Sequence, residues 1–311
     1  MKDKTPKGPT VRQFMARFPD DAACLEHLFR VRWGARHECG KCHREAKFYR
    51  VKARRSYECE HCGFQVYPTV GTPFQKTRTS LKDWFFVMFL FCASRNGVSA
   101  KEIQRQIGVT YKTAWRMAHE IRKYMAFVDG DFPLGGDGPN APAVEADECF
   151  VGGVDEQGKD DKHVVLGIVE RGGDVITFAV PSPASMFVVP PIRQYVRVGS
   201  KLATDEARAY SGLAFHGYDH ATVNHSKGEY VSRANPEVHT NTIESFWSML
   251  KRGINGTYIH VSSKHLQKYL WEFEFRHNLR KTPHLMLDFL LLSFPRNDPT
   301  PWPKAGGQIA G

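Results

Sequence analysis

Two groups of residues in this 311-residue chain have types and spacings suited to chemistry. The first is Cys39-x-x-Cys42 followed, after sixteen residues, by Cys59-x-x-Cys62. Two such pairs let four thiolates surround one Zn²⁺ tetrahedrally, and a metal with four protein ligands is structural rather than catalytic. A redox dithiol would need only one pair. Gly40 and Gly63 are expected to relax the backbone beneath the metal, and the strand-like FYRV and SYEC between the pairs suit the hairpins of a zinc ribbon. Cys24, Cys92 and Cys149 are scattered and read as core residues.

The second group is acidic. Sites that cut or join phosphodiesters hold Mg²⁺, or Mn²⁺, between carboxylates brought together from separate parts of a chain. Asp147 lies in the strand-like VEADECFVG (144–152), where a charge among Val144, Ala146, Phe150 and Val151 is costly unless something compensates it. Pattern alone does not choose Asp147 over Glu145 or Glu148. Asp205 ends the strand-like KLATD. Glu244 lies in HTNTIESFWSMLKRG (239–253), which at about 100° per residue divides into two faces. Asn241, Glu244, Ser245, Ser248, Lys251 and Arg252 share one; Ile243, Phe246, Trp247, Met249 and Leu250 share the other. Glu244 and Lys251 stand two turns apart on one stripe, and periodicity permits either a solvated surface or one wall of a site.

These residues need elements to position them. Residues 10–33 carry short helical patterns, with Asp20 placed to cap the segment holding Leu25, Leu28 and Phe29. Residues 37–75 form the cysteine-bearing region and 78–125 read as helices. The stretch 129–142 (DGDFPLGGDGPNAP) is a linker without periodicity. Beyond it come a strand at 144–152, a polar turn at 152–162, a hairpin-like pair at 163–171 and 174–180, and a helix around 184–197 expected to begin only at Pro190 and Pro191. KLATDEARAY (201–210) is a strand and turn, ATVNHS (221–226) is strand-like, and 264–280 is a second amphipathic helix. That order predicts an α/β sheet with helices packed on it. The domains are therefore expected at 1–36, 37–75, 76–128, 129–142 as linker, 143–293, and 294–311 as a tail.

The formal charge of +10 is uneven: residues 1–130 carry 25 Lys+Arg against 12 Asp+Glu, and residues 131–311 carry 18 against 21. A basic front end is the electrostatic footprint of a nucleic-acid contact. VSAKEIQRQIGVTYKTAWRMAHEIRK (98–123) has the punctuation of a helix-turn-helix. Ser99 with Glu102 makes a capping box, Gly108 ends the first helix and Thr110 caps the second. Tyr111, Lys112, Thr113, Arg116 and His119 are expected to face out where a recognition helix meets the major groove. The longest apolar run, WFFVMFLFCA (84–93), is too short to span a bilayer, and the N-terminus lacks the apolar core of a signal peptide. A cytoplasmic, nucleoid-associated protein is expected.

In order along the chain, EADECFVGG, LATDEARAY, VNHSKGEYV and HTNTIESFWSMLKRGINGTY resemble the catalytic domain of bacterial insertion-sequence transposases of the zinc-ribbon DDE type, the group with the ISXO-type transposase domain. The upstream cysteine module and YPTVGTPFQKTRTSLKDWF resemble that group too, and the likeness spans roughly residues 20–285. The resemblance implies an α/β fold with a ribonuclease H-like catalytic domain preceded by a zinc ribbon and a helix-turn-helix. It implies Asp147, Asp205 and Glu244 as the metal-binding triad, with Asn241 as ligand or neighbour on the same face. Lys251 would contact DNA phosphate, with Arg252 beside it and Lys112 and Arg116 as further DNA contacts. The implied chemistry is Mg²⁺-dependent cleavage at the element's ends and attack of the freed 3′-hydroxyl on target DNA, carried out by an oligomer holding two ends. An inactive DNA-binding regulator and a structure-specific nuclease on the same fold are the alternatives.

Overall fold

The computed structural model describes residues 8–129, 132–153, 162–224, 231 and 235–294. Their contacts form two units, residues 8–128 with 281–294 and residues 129–280. Most of the expected polar turn, the end of ATVNHS, most of VNHSKGEYV and the tail from 295 lie outside the described residues.

The first unit begins with α1 (Val11–Arg17) and α2 (Asp21–Trp33). Asp20 caps α2 as expected, its carboxylate accepting from the Ala23 amide at 2.9 Å. Five short strands follow: β1 (His37–Glu38), β2 (Glu45–Ala46), β3 (Phe48–Val51), β4 (Ser56–Cys59) and β5 (Gln65–Val66). β1 pairs with β2, and β3, β4 and β5 form an antiparallel sheet in that order. Tyr57 of β4 stacks on Phe29 of α2 at 4.1 Å and donates its hydroxyl to Glu26 at 2.8 Å, so α2 and the cysteine-bearing sheet share one core.

Three helices come next, α3 (Leu81–Ala93), α4 (Ala100–Ile107) and α5 (Tyr111–Asp129). Ser99 caps α4, accepting from the Glu102 amide at 3.1 Å, but the Glu102 carboxylate takes Arg105 (2.6 Å) and Gln106 (2.7 Å) and does not complete the predicted capping box. Gly108 is left-handed at φ +68°, and Thr110 accepts from the Thr113 amide at 3.3 Å. The second helix is longer than the pattern of two short helices suggests, because Met117, Ala118, Ile121, Tyr124 and Met125 continue its buried stripe. His119 departs from expectation. It is 3% exposed, not outward-facing, since one turn after Trp115 its ring lies 3.9 Å from the indole. Tyr111, Lys112 and Arg116 are exposed.

The second unit is built on β6 (Val144–Val151), β7 (His163–Glu170), β8 (Val175–Val180), β9 (Lys201–Asp205) and β10 (Asp219–Val223), in the spatial order β10-β9-β6-β7-β8. β6, β7 and β8 run antiparallel, and β9 and β10 are parallel to β6. Helix α6 (Ser185–Tyr195) joins β8 to β9, and α7 (Asn241–Gly253) and α8 (Ser263–Asn278) follow β10. Strand alternation divides the apolar residues between two cores. Val144, Ala146, Leu166 and Ile168 pack with Val188 and Ile192 of α6; Cys149, Val151, Val165 and Val169 pack with α7 and α8. Ile243, Phe246, Trp247 and Leu250 are the buried face of α7, contributing about 6–12 kcal/mol of gross burial energy.

Helix α6 starts at Ser185 and contains both prolines rather than beginning at them. Its first turn closes before them, with the Phe187 amide bonding the Ala184 carbonyl at 2.8 Å, and burial of Val188, Val189, Ile192 and Tyr195 holds the helix through the missing donors. At the sheet edge, side chains on one stripe of α8 take the place of a neighbouring strand. Asn278 bonds both the amide and the carbonyl of Val175 (2.8 and 2.9 Å), Glu274 accepts from the Thr177 amide (2.5 Å), and Gln267 bonds the Thr177 carbonyl (2.9 Å) and Ala179 amide (2.8 Å). The outer edge of β8 is thereby closed to further strands.

The last helix, α9 (Met286–Ser293), groups with the first unit, although the sequence reading carried the second region through 293. Phe294 just beyond it stacks on Tyr124 at 4.0 Å and on Phe74 at 5.3 Å, which ties this stretch to the first core.

Candidate functional site

The four cysteines of the two C-x-x-C pairs bring their sulfurs within 4.8 Å of one another. Cys39 and Cys62 are 3.6 Å apart and Cys42 and Cys59 are 3.9 Å apart, matching the edges of about 3.8 Å in a tetrahedron with Zn–S bonds of about 2.3 Å. The two knuckles repeat one hydrogen-bond scheme. His43 and Gly63 return their amides to the carbonyls of Cys39 and Cys59 (2.9 and 3.0 Å), and the amides of those cysteines bond the carbonyls of Arg44 and Phe64 (both 2.9 Å). The left-handed residue is the one after each second cysteine, His43 at φ +54° and Gly63 at φ +67°, so His43 and not Gly40 makes the bend of the first knuckle. Burial pushes the Cys39 thiol up, but the amides of Cys42 and Lys41 and the neighbouring thiols outweigh it and bring it down to about 6. The Phe64 amide lowers the Cys62 thiol, but burial and the neighbouring thiols outweigh it and raise it to about 11.

In the second unit, Asp147, Glu244, Trp247, Lys251, Arg252 and Asn255 line one cleft of about 690 Å³. Asp147 comes from β6 and the others from α7 and the π-helical turn Ile254–Tyr258 that prolongs it. The Trp247 indole donates to the Asp147 carboxylate at 2.9 Å. Asp147 pairs across the ladder with Gly167, where a Cβ would lie 2.5 Å from Trp247 Cη2 and 2.7 Å from Ile243 Cδ1. Glycine is therefore what lets the indole lie close enough to β7 to reach Asp147. Lys251 reaches back to β6, opposing the upward push of burial on the Cys149 thiol, which stands at about 11.

Asp205 ends β9, its carboxylate turned into a local bond from the Ala207 amide at 3.0 Å. The pairing of β6 with β9 runs Val144↔Leu202 and Glu145↔Ala203 and stops there. Two residues further on, the strands part with Asp147 and Asp205 at corresponding positions. Glu148 lines the same cleft as Asp147, whereas Asp205 is outside that lining. Burial pushes the Glu148 carboxyl up to about 7, the Tyr210 hydroxyl moderates the shift, and Asp147 and Asp205 add to it. The carboxylates stand further apart than the cysteines, which among the described residues are the one such group within 4.8 Å. Asn241, the first residue of α7, is exposed and outside the cleft lining.

Among the three acidic residues of VEADECFVG, the structure separates the roles. Glu145 is fully buried and its carboxylate accepts from the amides of Thr242 (2.8 Å) and Ile243 (3.0 Å), the Thr242 hydroxyl (2.9 Å) and Arg171 Nε (2.7 Å). His239 Nδ1 stands 3.1 Å away. Arg171 also donates to the carbonyls of Glu237 (2.5 Å) and His239 (2.8 Å). A sheet carboxylate thus binds the start of α7, where unpaired amides and the helix dipole favour a negative charge. Sequence reasoning left Glu145 as an alternative to Asp147, read Trp247 only as part of an apolar face, and passed over Gly167 and Arg171. A glycine inside HVVLGIVE was the signal that another group approaches that strand closely.

Residues 136–278 match the ISXO2-like transposase domain, and residues 19–65 match the transposase zinc-ribbon domain. A transposase-like protein of Haemophilus influenzae is 33% identical over 107 residues, 33% of this chain and 80% of that one. The chain belongs to the ISXO2-like transposases. A protein in transposable element ISH50 of Halobacterium salinarum is 27% identical over 291 residues, 86% of this chain and 94% of its own length. A transposase role and DNA as partner follow from the family. The cysteine cluster lies within the zinc-ribbon match and is fitted to structural Zn²⁺. Asp147, Asp205, Asn241, Glu244, Lys251 and Arg252 all fall within the transposase domain, whereas Lys112 and Arg116 fall between the two matches. Among the described residues no helix is long and apolar enough to cross a membrane.

Proposed function

We propose that this transposase cleaves the ends of its insertion sequence and joins the freed 3′-hydroxyl to target DNA, using Asp147, Asp205 and Glu244 on a ribonuclease H-like fold. The observation that carries the reading is that Asp147 and Glu244, ninety-seven residues apart, line one cleft with Lys251 and Arg252 inside the family-matched domain. The strand order β10-β9-β6-β7-β8, with three antiparallel strands followed by two parallel ones, supports the fold. An all-oxygen donor set suits Mg²⁺ or Mn²⁺, which when bound supplies charge neutralisation and a polarised water for in-line phosphodiester displacement. Asp147 is held for that task by Trp247, and Glu244 is presented from a helix anchored by Glu145. Lys251 and Arg252 are placed to take the phosphates flanking the reacting bond, while Asn241 stays outside the lining as a neighbour.

The α4–α5 pair with its Gly108 turn acts as a helix-turn-helix, exposing Lys112 and Arg116 to the terminal repeats. Two ends held together require an oligomer on DNA. The test is a cleavage and strand-transfer assay in Mg²⁺ and in Mn²⁺ with wild type beside Asp147→Asn, Asp205→Asn and Glu244→Gln. Cleaved and joined products from wild type alone are expected. Normal cleavage by any variant removes that residue from the site, cleavage without joining marks a nuclease, and binding without either marks a regulator.

A further inference from the structure

Immediately after α7 the chain does something unfavourable. The π-helical turn Ile254–Tyr258 ends with the Ile259 amide on the Ile254 carbonyl at 2.7 Å, and Ile259 then takes φ +66°, ψ −53°. The His260 amide closes on the Tyr258 carbonyl at 2.7 Å, making Ile259 the centre of a γ-turn of the rare positive-φ kind. A β-branched side chain is about the worst occupant of that conformation, which glycine would adopt freely. The isoleucine gains nothing from packing, because it is 82% exposed.

Its neighbours fix the turn firmly. Tyr258 donates its hydroxyl to buried Glu272 at 2.5 Å, and its ring meets Tyr269 at 4.7 Å. Glu272 is in turn paired with Arg276 at 2.5 Å. Strain held by a buried network, with an apolar side chain thrust into solvent, is the pattern of a functional projection. The surroundings name its target. Residues 245–271 contain Lys251, Arg252, Lys264 and Lys268 and no Asp or Glu, and the same turn gives Asn255 to the cleft. A projecting aliphatic side chain flanked along the chain by two cations on either side, with the nearest following carboxylate, Glu272, buried and paired to Arg276, is complementary to a phosphate backbone with stacked bases behind it.

We infer that Ile259 is an apolar wedge that enters the DNA duplex beside the bond being cut and unstacks a base step there, while the cationic residues on either side hold the backbone. The inference rests on the proposed cleavage site and adds to it the distortion of the substrate. Opening the duplex at the element's end would let the strand reach a cleft walled by α7.

The experiment uses the full-length chain with duplexes ending in the terminal sequence of the element that encodes it, carrying 2-aminopurine in turn at each base pair flanking the cut. Fluorescence is read in the Asp147→Asn background, so that unstacking is measured apart from cleavage, and cleavage is read in the otherwise wild-type chain. The expected result is a several-fold rise in fluorescence at one step, lost with Ile259→Gly and kept with Ile259→Leu. Ile259→Gly in the cleaving chain should slow cutting by roughly tenfold while still binding the duplex. Because glycine relaxes this turn, that variant should melt no lower than its parent, so a loss of unstacking is not a loss of fold. If the wild-type chain cuts and joins but no step brightens, or Ile259→Gly brightens as its parent does, the wedge is overturned and the cleavage site stands. If the wild-type chain neither cuts nor joins, both fall together.

Discussion

Removing the Glu145 carboxylate should release the start of α7. The side chain is fully buried and serves two amides, a hydroxyl and a guanidinium, with an imidazole 3.1 Å away. Hydrogen bonds to a charged group are each worth about 1.5–3 kcal/mol, but bonds sharing one carboxylate do not add. The applicable magnitude is the loss of one partner from a buried ion pair, about 3–5 kcal/mol, since Arg171, only 20% exposed, would keep its two backbone acceptors but lose its counter-charge. Glu145→Ala should therefore destabilise the second unit by about 3–5 kcal/mol, and Glu145→Gln by about 2–3 kcal/mol, because an amide keeps one acceptor oxygen but turns an NH₂ toward donors. Native-state amide exchange at Thr242 and Ile243 reads this unit separately from the first, and urea unfolding gives the total. A double-mutant cycle with Arg171→Met should show a coupling above about 1 kcal/mol. A loss below about 1 kcal/mol for Glu145→Ala, or unchanged exchange at the two amides, would refute the anchoring argument.

Gly167→Ala should drive Trp247 away from Asp147, costing about 1–3 kcal/mol by overpacking and lowering cleavage more than Trp247→Phe, which removes the hydrogen bond but keeps the volume; parallel melting and cleavage measurements compare the two. Chelation should remove a single Zn²⁺ per chain and unfold the β1–β5 region, seen as loss of exchange protection at the amides of Cys39 and Cys59, and Cys59→Ser should reproduce it without chelator. Burial, aided by Arg280, holds the His277 imidazole down at about 4. The unfolded chain, near 6.5, takes up that proton first, so stability present above pH 6.5 is lost as the pH falls from there through 4, by at most about 3 kcal/mol, and His277→Gln should flatten the slope in urea titrations.

Much of this architecture was legible because its signals are local. Asp20, Ser99, Gly108 and Thr110 announce helix ends by side-chain chemistry that operates within a few residues, and two C-x-x-C pairs specify their own geometry. The β7–β8 hairpin follows from two strand-like runs separated by a short turn. What escaped depends on contacts between distant segments. The burial of His119, the start of α6 ahead of its two prolines, and the return of α9 to the first unit are decided by tertiary packing, which a window of sequence does not contain. The same holds for Glu145 and Asp147. Two positions apart, they face the same way in a strand, and only the residues opposite distinguish them: helix amides and Arg171 for one, the Trp247 indole for the other.

That pairing explains why the helix bearing Glu244 is placed so firmly. On one face of β6, Glu145 grips the amides of residues 242 and 243, and Asp147 receives the indole of residue 247. Glu244 lies between those attachment points, so neither a slide of α7 along the strand nor a rotation about its axis can move it without breaking a buried polar contact. Its own carboxylate is further steadied by the Thr240 hydroxyl at 3.2 Å. The phosphodiester chemistry proposed for this cleft would tolerate only about 0.5 Å of misplacement, and a helix fixed at two points by its neighbouring strand meets such a demand better than burial of an apolar face alone, which is non-directional. The periodicity that left Glu244 and Lys251 indistinguishable from a solvated stripe therefore carried half the information. The other half lies in β6, where one carboxylate sets the height of the helix and the next but one sets its rotation.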